Sequence, residues 1–454
     1  MSDTDLLQKY NVPVPRYTSY PTVPVWQDAI DVSEFTGVFA HQFAAENSTH
    51  GISLYIHLPF CESLCTYCGC NKKITTNHSV EDDYIAAIIK EWHLYLQLMD
   101  EQPVIRELHL GGGTPTFFSP ANIERLLTAI FDTATIHPEH EFSFEGHPNN
   151  TTEAHLKTLY RLGFRRLSLG VQDNDPEVQR IINRIQPLAH VKQVTETARA
   201  IGYTSVNFDL IYGLPRQSLE SIARTIEQTI ALQPDRIAFY SYAHVPWTSK
   251  GQRLFDEHDL PTADEKLNLY LCGRDLFLRH GYSDIGMDHF SLPTDTLYEA
   301  AGAGHLHRNF MGYTTQNTNM LIGLGVSAIS STGRSFSQNE KTIHDYYDDV
   351  NNDRLPVRKG YFLSDEDLRF GQYILDISCR GKTTIQPCDQ ETVTELCLPA
   401  LTGLAADGLV LINGHDIIVT TAGKNFIRNI CSAFDLYLQK SRANAGKPMF
   451  SNAI

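Results

Sequence analysis

Between residues 53 and 240 the spacing of apolar positions alternates repeatedly between a period of two and one near 3.6. Short β-prone runs at 53–57, 107–110, 141–145, 166–170, 205–210 and 236–240 predict six strands. Helical spacing over 81–98, 120–132, 153–162, 190–201 and 219–232 predicts the five helices between them. Gly163 and Gly202 stand where two of those helices should stop. Such alternation is the signature of parallel βαβ units, and a right-handed series of them curls into a full or partial barrel. A doubly wound open sheet fits the same count. The strand ends favour the barrel, because barrel enzymes carry their chemistry at the C-terminal ends of the strands. Here the strands run into a cysteine-rich loop, Gly111-Gly112-Gly113, Glu145, Gln172-Asp173, Asp209 and Tyr242-Ala243-His244.

Outside this region the pattern changes. Residues 1–50 form an N-terminal extension without a clear period, in which Pro15-Arg-Tyr-Thr-Ser-Tyr-Pro-Thr22 predicts a strap packed on something else. Residues 51–290 hold the partial barrel, with a late helix over 265–280 and a strand-like run over 282–288. Residues 291–362 read as a connecting segment that covers the active site, with a glycine-rich apolar run over 321–330. Residues 363–454 read as a mostly helical domain. Within it, 392–430 resembles a winged helix, with a hairpin about Asn413-Gly414 and a helix from Ala422.

Composition narrows the partners. A chain of 454 residues with 42% hydrophobic and 20% charged residues is an ordinary soluble globular protein. The net charge of −16 argues against nucleic acid, whose affinity comes from basic contacts to phosphate, so the winged-helix-like part reads as a lid or support. No long apolar run or basic-plus-apolar leader is present, so neither a membrane span nor export is expected. Cys272, Cys379, Cys388, Cys397 and Cys431 are scattered, as reduced thiols of a cytoplasmic protein would be.

The other four of the nine cysteines lie together as Cys61, Cys65, Cys68 and Cys70. Three thiolates at this spacing on one loop can hold three corners of a cubane iron–sulfur cluster, leaving one iron open to a small molecule. Zinc would ask for four tetrahedral ligands, usually as two separated pairs, and no second pair is evident.

Cys61, Cys65 and Cys68, with Tyr67 before the third cysteine, the triple glycine and Glu145, resemble the radical S-adenosylmethionine (SAM) enzymes. Further stretches narrow the likeness: Cys70, the strap, Gly170-Val-Gln-Asp173, Asn183-Arg184 and Asp209-Leu-Ile-Tyr-Gly-Leu-Pro215. So do His307-Arg-Asn-Phe-Met-Gly-Tyr-Thr-Thr315 and Ile427-Arg-Asn-Ile-Cys431. Over nearly its whole length the chain resembles the bacterial oxygen-independent coproporphyrinogen III oxidase (dehydrogenase) family.

The resemblance implies an α/β fold, a partial (βα)6 TIM-like barrel of the radical SAM type with an N-terminal strap and a mostly helical C-terminal domain. It implies a [4Fe–4S] cluster on Cys61, Cys65 and Cys68 whose free iron binds SAM. One electron from a reduced flavodoxin- or ferredoxin-like donor would then yield a 5′-deoxyadenosyl radical. The implied reaction converts two propionates of coproporphyrinogen III to vinyls with loss of CO2, giving protoporphyrinogen IX in haem synthesis. Tyr55, Gly112, Glu145, Ala243 and Ile329 correspond to contacts of the first SAM. Tyr67, Gly113, Thr114, Gln172, Arg184 and Asp209 correspond to contacts of a second. Tyr55, Glu145, Phe310, Met311 and Ile329 are the implied catalytic positions, in a cytoplasmic monomer. Cys70 stands outside the ligand pattern and receives no role.

A substrate with four carboxylates needs cations in so acidic a chain, and Arg16, Arg308 and Arg428 are the candidates within the recognised stretches. Two positions depart from the family. His147 stands where an acidic or amide residue is usual, and Met311 replaces a glutamine. These departures keep open a related haem-ring-opening methyltransferase using the same two SAM sites. A haem chaperone on the same barrel is a third reading, disfavoured by the strap and the Ile427–Cys431 run, which such relatives usually lack.

Overall fold

Alternation along six strands sorts side chains onto two faces, and this sets the architecture. The strands are β1 (Ile52–Leu58), β2 (Val104–Gly112), β3 (Thr135–Gly146), β4 (Arg166–Gln172), β5 (Ser205–Tyr212) and β6 (Arg236–Ser241). Leu54, Ile56, Leu108, Leu110, Phe142, Phe144, Leu167, Leu169, Phe208, Leu210, Ile237 and Phe239 share one face and one buried core. Tyr55, His109, Ser143, Glu145, Ser168, Asn207, Asp209 and Tyr240 point to the other. The computed structural model describes residues 3–246 and 249–442. Residues 443–454 of the expected C-terminal domain lie outside that range.

All neighbouring pairs from β1 to β6 are parallel, with Tyr55 level with His109, Glu145 with Ser168, and Gly170 with Asp209. The expected helices form as Val80–Leu96, Pro120–Phe131, Glu153–Arg161, Leu188–Ile201 and Leu219–Ile230. The first four lie side by side, and Leu219–Ile230 packs against a later helix, Ala263–Arg279. Their apolar faces, including Tyr84, Ile88, Leu126, Leu159, Val191 and Ile226, bury against the outward strand residues. Ser119, Thr152 and Ser218 cap three of them through side-chain oxygens that accept amide hydrogens.

The sheet runs on past both ends of this series, to twelve strands. Leu321–Leu324 adds a seventh parallel strand beside β1, with Gly323 level with Tyr55. Ile329–Ser331, Ser335–Asn339 and Val357–Phe362 follow it, antiparallel. At the other edge His289–Ser291 pairs antiparallel with β6 and then with Ser283–Gly286. The two edge strands do not pair, so the barrel stays open. The partial barrel expected from the sequence is therefore present, extended at one edge by Ser283–Gly286, within the expected strand-like run, and at the other by short strands that the sequence did not mark. Leu321–Leu324 is buried at every position, so alternation could not mark it.

A second core joins the two ends of the chain. Leu6, Leu7, Tyr17 and Tyr20 pack with residues of Asp365–Arg380, Leu398–Ala406 and Ile427–Ser432. Strands Lys382–Thr384, Asp416–Val419 and Val410–Asn413 form a small antiparallel sheet here, with the expected hairpin at Gly414. Arg428 donates to the carbonyls of Val14 (2.5 Å) and Pro15 (3.3 Å), and Tyr17 donates to Asp435 (3.0 Å). The strap is thus held by the C-terminal segment.

Candidate active site

The cysteine loop leaves β1 and returns on itself where Phe60–Cys61 pairs with Lys73–Ile74. Distant segments pin it. The Thr66 amide donates to the Ile182 carbonyl (3.0 Å), and Asn183 Nδ2 donates to the Leu64 carbonyl (2.7 Å). Gln252 Nε2 bridges the carbonyls of Tyr67 (3.0 Å) and Ala243 (3.1 Å), which fixes the exit of β6 against the loop. Each of the three cysteine sulfurs meets a donor. Thr114 Oγ1 lies 3.2 Å from Cys61 Sγ, and Arg184 Nη1 lies 3.5 Å from Cys65 Sγ. Cys68 is drawn down to about 6, chiefly by its hydrogen bond with the Cys70 thiol, with Lys72 and Arg184 adding to it against burial. The same bond pushes Cys70 well up. Burial raises Cys61 to about 11.

The triple glycine passes directly beneath this loop. A Cβ on Gly113 would lie 2.4 Å from the Pro59 carbonyl oxygen and 3.1 Å from Cys61 Sγ, so only a bare backbone fits. Gly112, at a φ of +117°, donates its amide to Glu145 Oε2 at 3.3 Å. Asp209 accepts from Ser168 and Asn207. Enclosure, and then the charge of Glu145, raises Asp209 to about 6. Arg184 reaches from just past the short helix Pro176–Ile181 that follows β4 and donates Nη2 to the Gly170 carbonyl at 2.5 Å, while its buried Nε has no partner. Gln172 ends β4 in the left-handed region at a φ of +65°.

These groups surround a cavity of about 510 Å³. Its wall includes Cys61, Cys65, Cys68, Cys70, Tyr67, Gly112, Gly113, Thr114, Glu145, His147, Gln172, Arg184 and Asp209. Burial and the charge of Arg184 lower His147 to about 3, leaving a neutral ring that accepts from the Asn149 amide (3.1 Å). A second, polar cavity of about 110 Å³ lies inside the barrel, lined by His109, Ser143, Arg166, Tyr240, His289, Met311 and others. Glu145 and Asp209 line both.

The remaining expected positions fall around these two spaces. Tyr55 backs the wall, its hydroxyl 3.1 Å from His57 Nδ1 and its ring 6.0 Å from that of His109. Ala243 follows β6, and Ile329 lies across the seventh parallel strand, its backbone against Gly323. Phe310 and Met311 occupy the tip of a hairpin, His307–Asn309 with Gly312–Thr314, and diverge from it. Met311 enters the interior cavity. Phe310 turns toward Trp26 and Phe336, with ring centroids at 5.9 and 5.7 Å. Sequence reading passed over Lys72, Gln252 and the interior residues His109, Tyr240 and His289. Lys72, two residues past Cys70, carried a usable signal as a cation beside clustered thiols. Gln252 lies where alternation had lapsed and carried none.

Among the described residues no three His, Cys, Asp or Glu side chains are gathered to ligate a single ion. The thiols stand instead around a cavity, with a hydroxyl, a guanidinium and a thiol directed at three sulfurs and a glycine cradle that admits no Cβ. That donor set suits a cluster carrying its cysteines at separate corners, with room beside it for a ligand. The class follows: residues 55–229 match the Radical SAM superfamily. Among curated relatives, the oxygen-independent coproporphyrinogen III oxidase of Salmonella typhimurium is 40% identical over 100% of this chain and 98% of that protein. That of Pseudomonas aeruginosa is 38% identical over 96% of each. The solved structure of the Escherichia coli coproporphyrinogen III oxidase, titled a radical SAM enzyme, superposes with a TM-score of 0.88 at 38% identity, covering 93% of this chain and 98% of that one. The chain belongs to the oxygen-independent coproporphyrinogen III oxidase family. Membership of the superfamily implies a [4Fe–4S] cluster and SAM.

Proposed function

We propose that this protein decarboxylates two propionates of coproporphyrinogen III to vinyls without oxygen, giving protoporphyrinogen IX in haem biosynthesis. The observation that carries this reading is the shared wall: Glu145 and Asp209 face both the cysteine-lined cavity and the polar interior of the barrel. A reaction begun in the first space can therefore act on a molecule held in the second.

The residues divide the work. Cys61, Cys65 and Cys68 hold the cluster; Thr114 and Arg184 stabilise negative charge on two of the sulfurs. The cluster and SAM, when bound, supply a carbon radical able to take hydrogen from an unactivated carbon. Gly112 and Gly113 admit a ligand against bare backbone, and Glu145 offers an anionic acceptor for a cationic amine or sulfonium. Tyr55, Gly112, Glu145, Ala243 and Ile329 serve a first SAM; Tyr67, Gly113, Thr114, Gln172, Arg184 and Asp209 serve a second. All six residues of the second set line the larger cavity beside Gly112 and Glu145 of the first, which supports a second SAM next to the first. Met311 closes the interior cavity, and Phe310 anchors its hairpin on Trp26 and Phe336. The electron comes from a reduced flavodoxin- or ferredoxin-like donor, and the protein works as a cytoplasmic monomer. No helix among the described residues is long and apolar enough to cross a membrane.

Anaerobic incubation of the reconstituted protein with SAM, a reductant and coproporphyrinogen III tests the reading. Protoporphyrinogen IX with CO2 is the expected result. Haem ring opening, the alternative raised by His147 and Met311 on the two cavity walls, would instead consume only haem. Haem bound without SAM turnover would also overturn the proposal.

A further inference from the structure

Of the three arginines singled out in the sequence, two are committed within the fold. Arg16 pairs with Asp288 at 3.1 Å, donates to the Ser241 carbonyl at 3.3 Å and lies over the Tyr240 ring. Arg428 is held by the Val14 and Pro15 carbonyls. Arg308 differs. Its Nε and Nη1 are shut away from water and meet no acceptor. A buried charged donor left unmatched is costly, and native folds rarely keep one without a reason. Acids are not scarce, with 53 acidic residues against 37 basic ones in the chain.

What the fold does provide is a fixed platform. The guanidinium lies 4.6 Å above the Tyr313 ring, and the Tyr313 hydroxyl is itself tied to the Ser378 carbonyl at 3.0 Å. Arg308 also borders a third cavity, of about 240 Å³, where the strap, the 307–314 hairpin and helix Asp365–Arg380 meet. Thr18, Ser19, Asn309 and Gln372 add polar groups to its wall. The volume suits one carboxylate-bearing arm rather than a whole tetrapyrrole. Three residues along the same hairpin, Met311 enters the interior cavity beside Glu145 and Asp209.

We propose that Arg308 anchors a propionate of the substrate that does not react, with the 240 Å³ cavity receiving that arm. The substrate carboxylate, entering from the cavity that Arg308 borders, then supplies the counter-charge the protein withholds. Pinning a remote arm spends binding energy on orientation, which brings the reacting propionate to the shared wall of Glu145 and Asp209. The inference rests on the decarboxylase reading above and adds the residue that recognises the substrate's charge.

The test compares wild-type, Arg308→Gln, Arg308→Lys and Gln372→Trp holoenzymes with coproporphyrinogen III. Arg308→Gln should raise KM about ten- to a hundredfold, the worth of a charged hydrogen bond, with the smaller effect on kcat. Cluster absorbance and SAM cleavage without tetrapyrrole should match wild type. Arg308→Lys should recover only part of the affinity, because the charge remains but the planar fork stacked on Tyr313 is lost. Gln372→Trp, which fills the same cavity from an exposed position, should raise KM as well. A wild-type KM in Arg308→Gln overturns the anchor while leaving the decarboxylase reading standing. Should Arg308→Gln fail to fold, a wild-type KM in Gln372→Trp overturns it equally. If wild type itself makes no protoporphyrinogen IX, the decarboxylase reading falls and the anchor with it.

Discussion

At the scale of the residue, the site depends on what is missing as much as on what is present. Gly113 lies so close to Pro59 and Cys61 that Gly113→Ala must push the cysteine loop outward. We expect Gly113→Ala to lower stability by about 1–3 kcal/mol, as overpacking does, and to lose the cluster's visible absorbance on reconstitution. Thermal melts and absorption spectra would show both. Arg184 makes a different case. Its guanidinium is pressed down by burial yet held up by Tyr67 and Cys65, so it stays charged beside the sulfurs. Removing that charge in Arg184→Gln should shift the cluster's reduction potential negative by roughly 60 mV, a tenfold change in a one-electron equilibrium. Redox titration monitored by electron paramagnetic resonance reads it; an unchanged potential would break the link between Arg184 and the cluster. The glycines, cysteines and Glu145 were legible in the sequence because each carries its constraint in its own identity. The contact of Arg184 with Cys65 was not, since nothing local joins two residues 119 apart.

At the scale of the element, the parallel strands were legible through alternation, and the segment that completes the sheet was not. Leu321–Leu324 has no polar face to alternate. The turn after it is held by a buried carboxylate that no pattern announces. Glu91, on helix Val80–Leu96, accepts from the Gly325 amide, Asn339 Nδ2 and the Tyr346 hydroxyl, each at 2.7 Å. Burial raises Glu91 to about 7 against the pull of those bonds. The folded protein therefore keeps this proton up to about pH 7, whereas the unfolded chain releases it near 4.5. Between those values the folded form binds more protons, so stability falls as pH rises, by up to about 3 kcal/mol from this group. Melting temperatures measured across that window should decline, and Glu91→Gln should flatten the slope. An equal slope in the variant would remove Glu91 from the account.

At the scale of the whole molecule, the two ends of the chain form one core, which neither end signals by itself. Each end carries only local signals, prolines and tyrosines in the strap and helical runs in the C-terminal segment. Their partnership was not legible, because it is made of single contacts such as Arg428 on Val14 and Tyr17 on Asp435. Arg428→Ala should leave those carbonyls short of a donor and cost about 2–3 kcal/mol. Limited proteolysis should then cut near residues 14–20 while the barrel stays protected. Resistance equal to wild type would mean that the tyrosines and Arg16 hold the strap without Arg428.

Tyr17 meets Asp435 across a separation of 418 residues. A ribosome therefore delivers the strap long before its partner. The loop's bonds to Ile182, Asn183 and Gln252 are all complete before the C-terminal segment appears, and of the loop's side chains Asn71 waits for the Lys341 carbonyl, so the loop can begin to take shape while the strap still hangs free. Synthesis thus imposes an order of assembly: the reactive loop is open to loading during translation, and the strap is sealed only when the segment carrying Arg428 and Asp435 emerges.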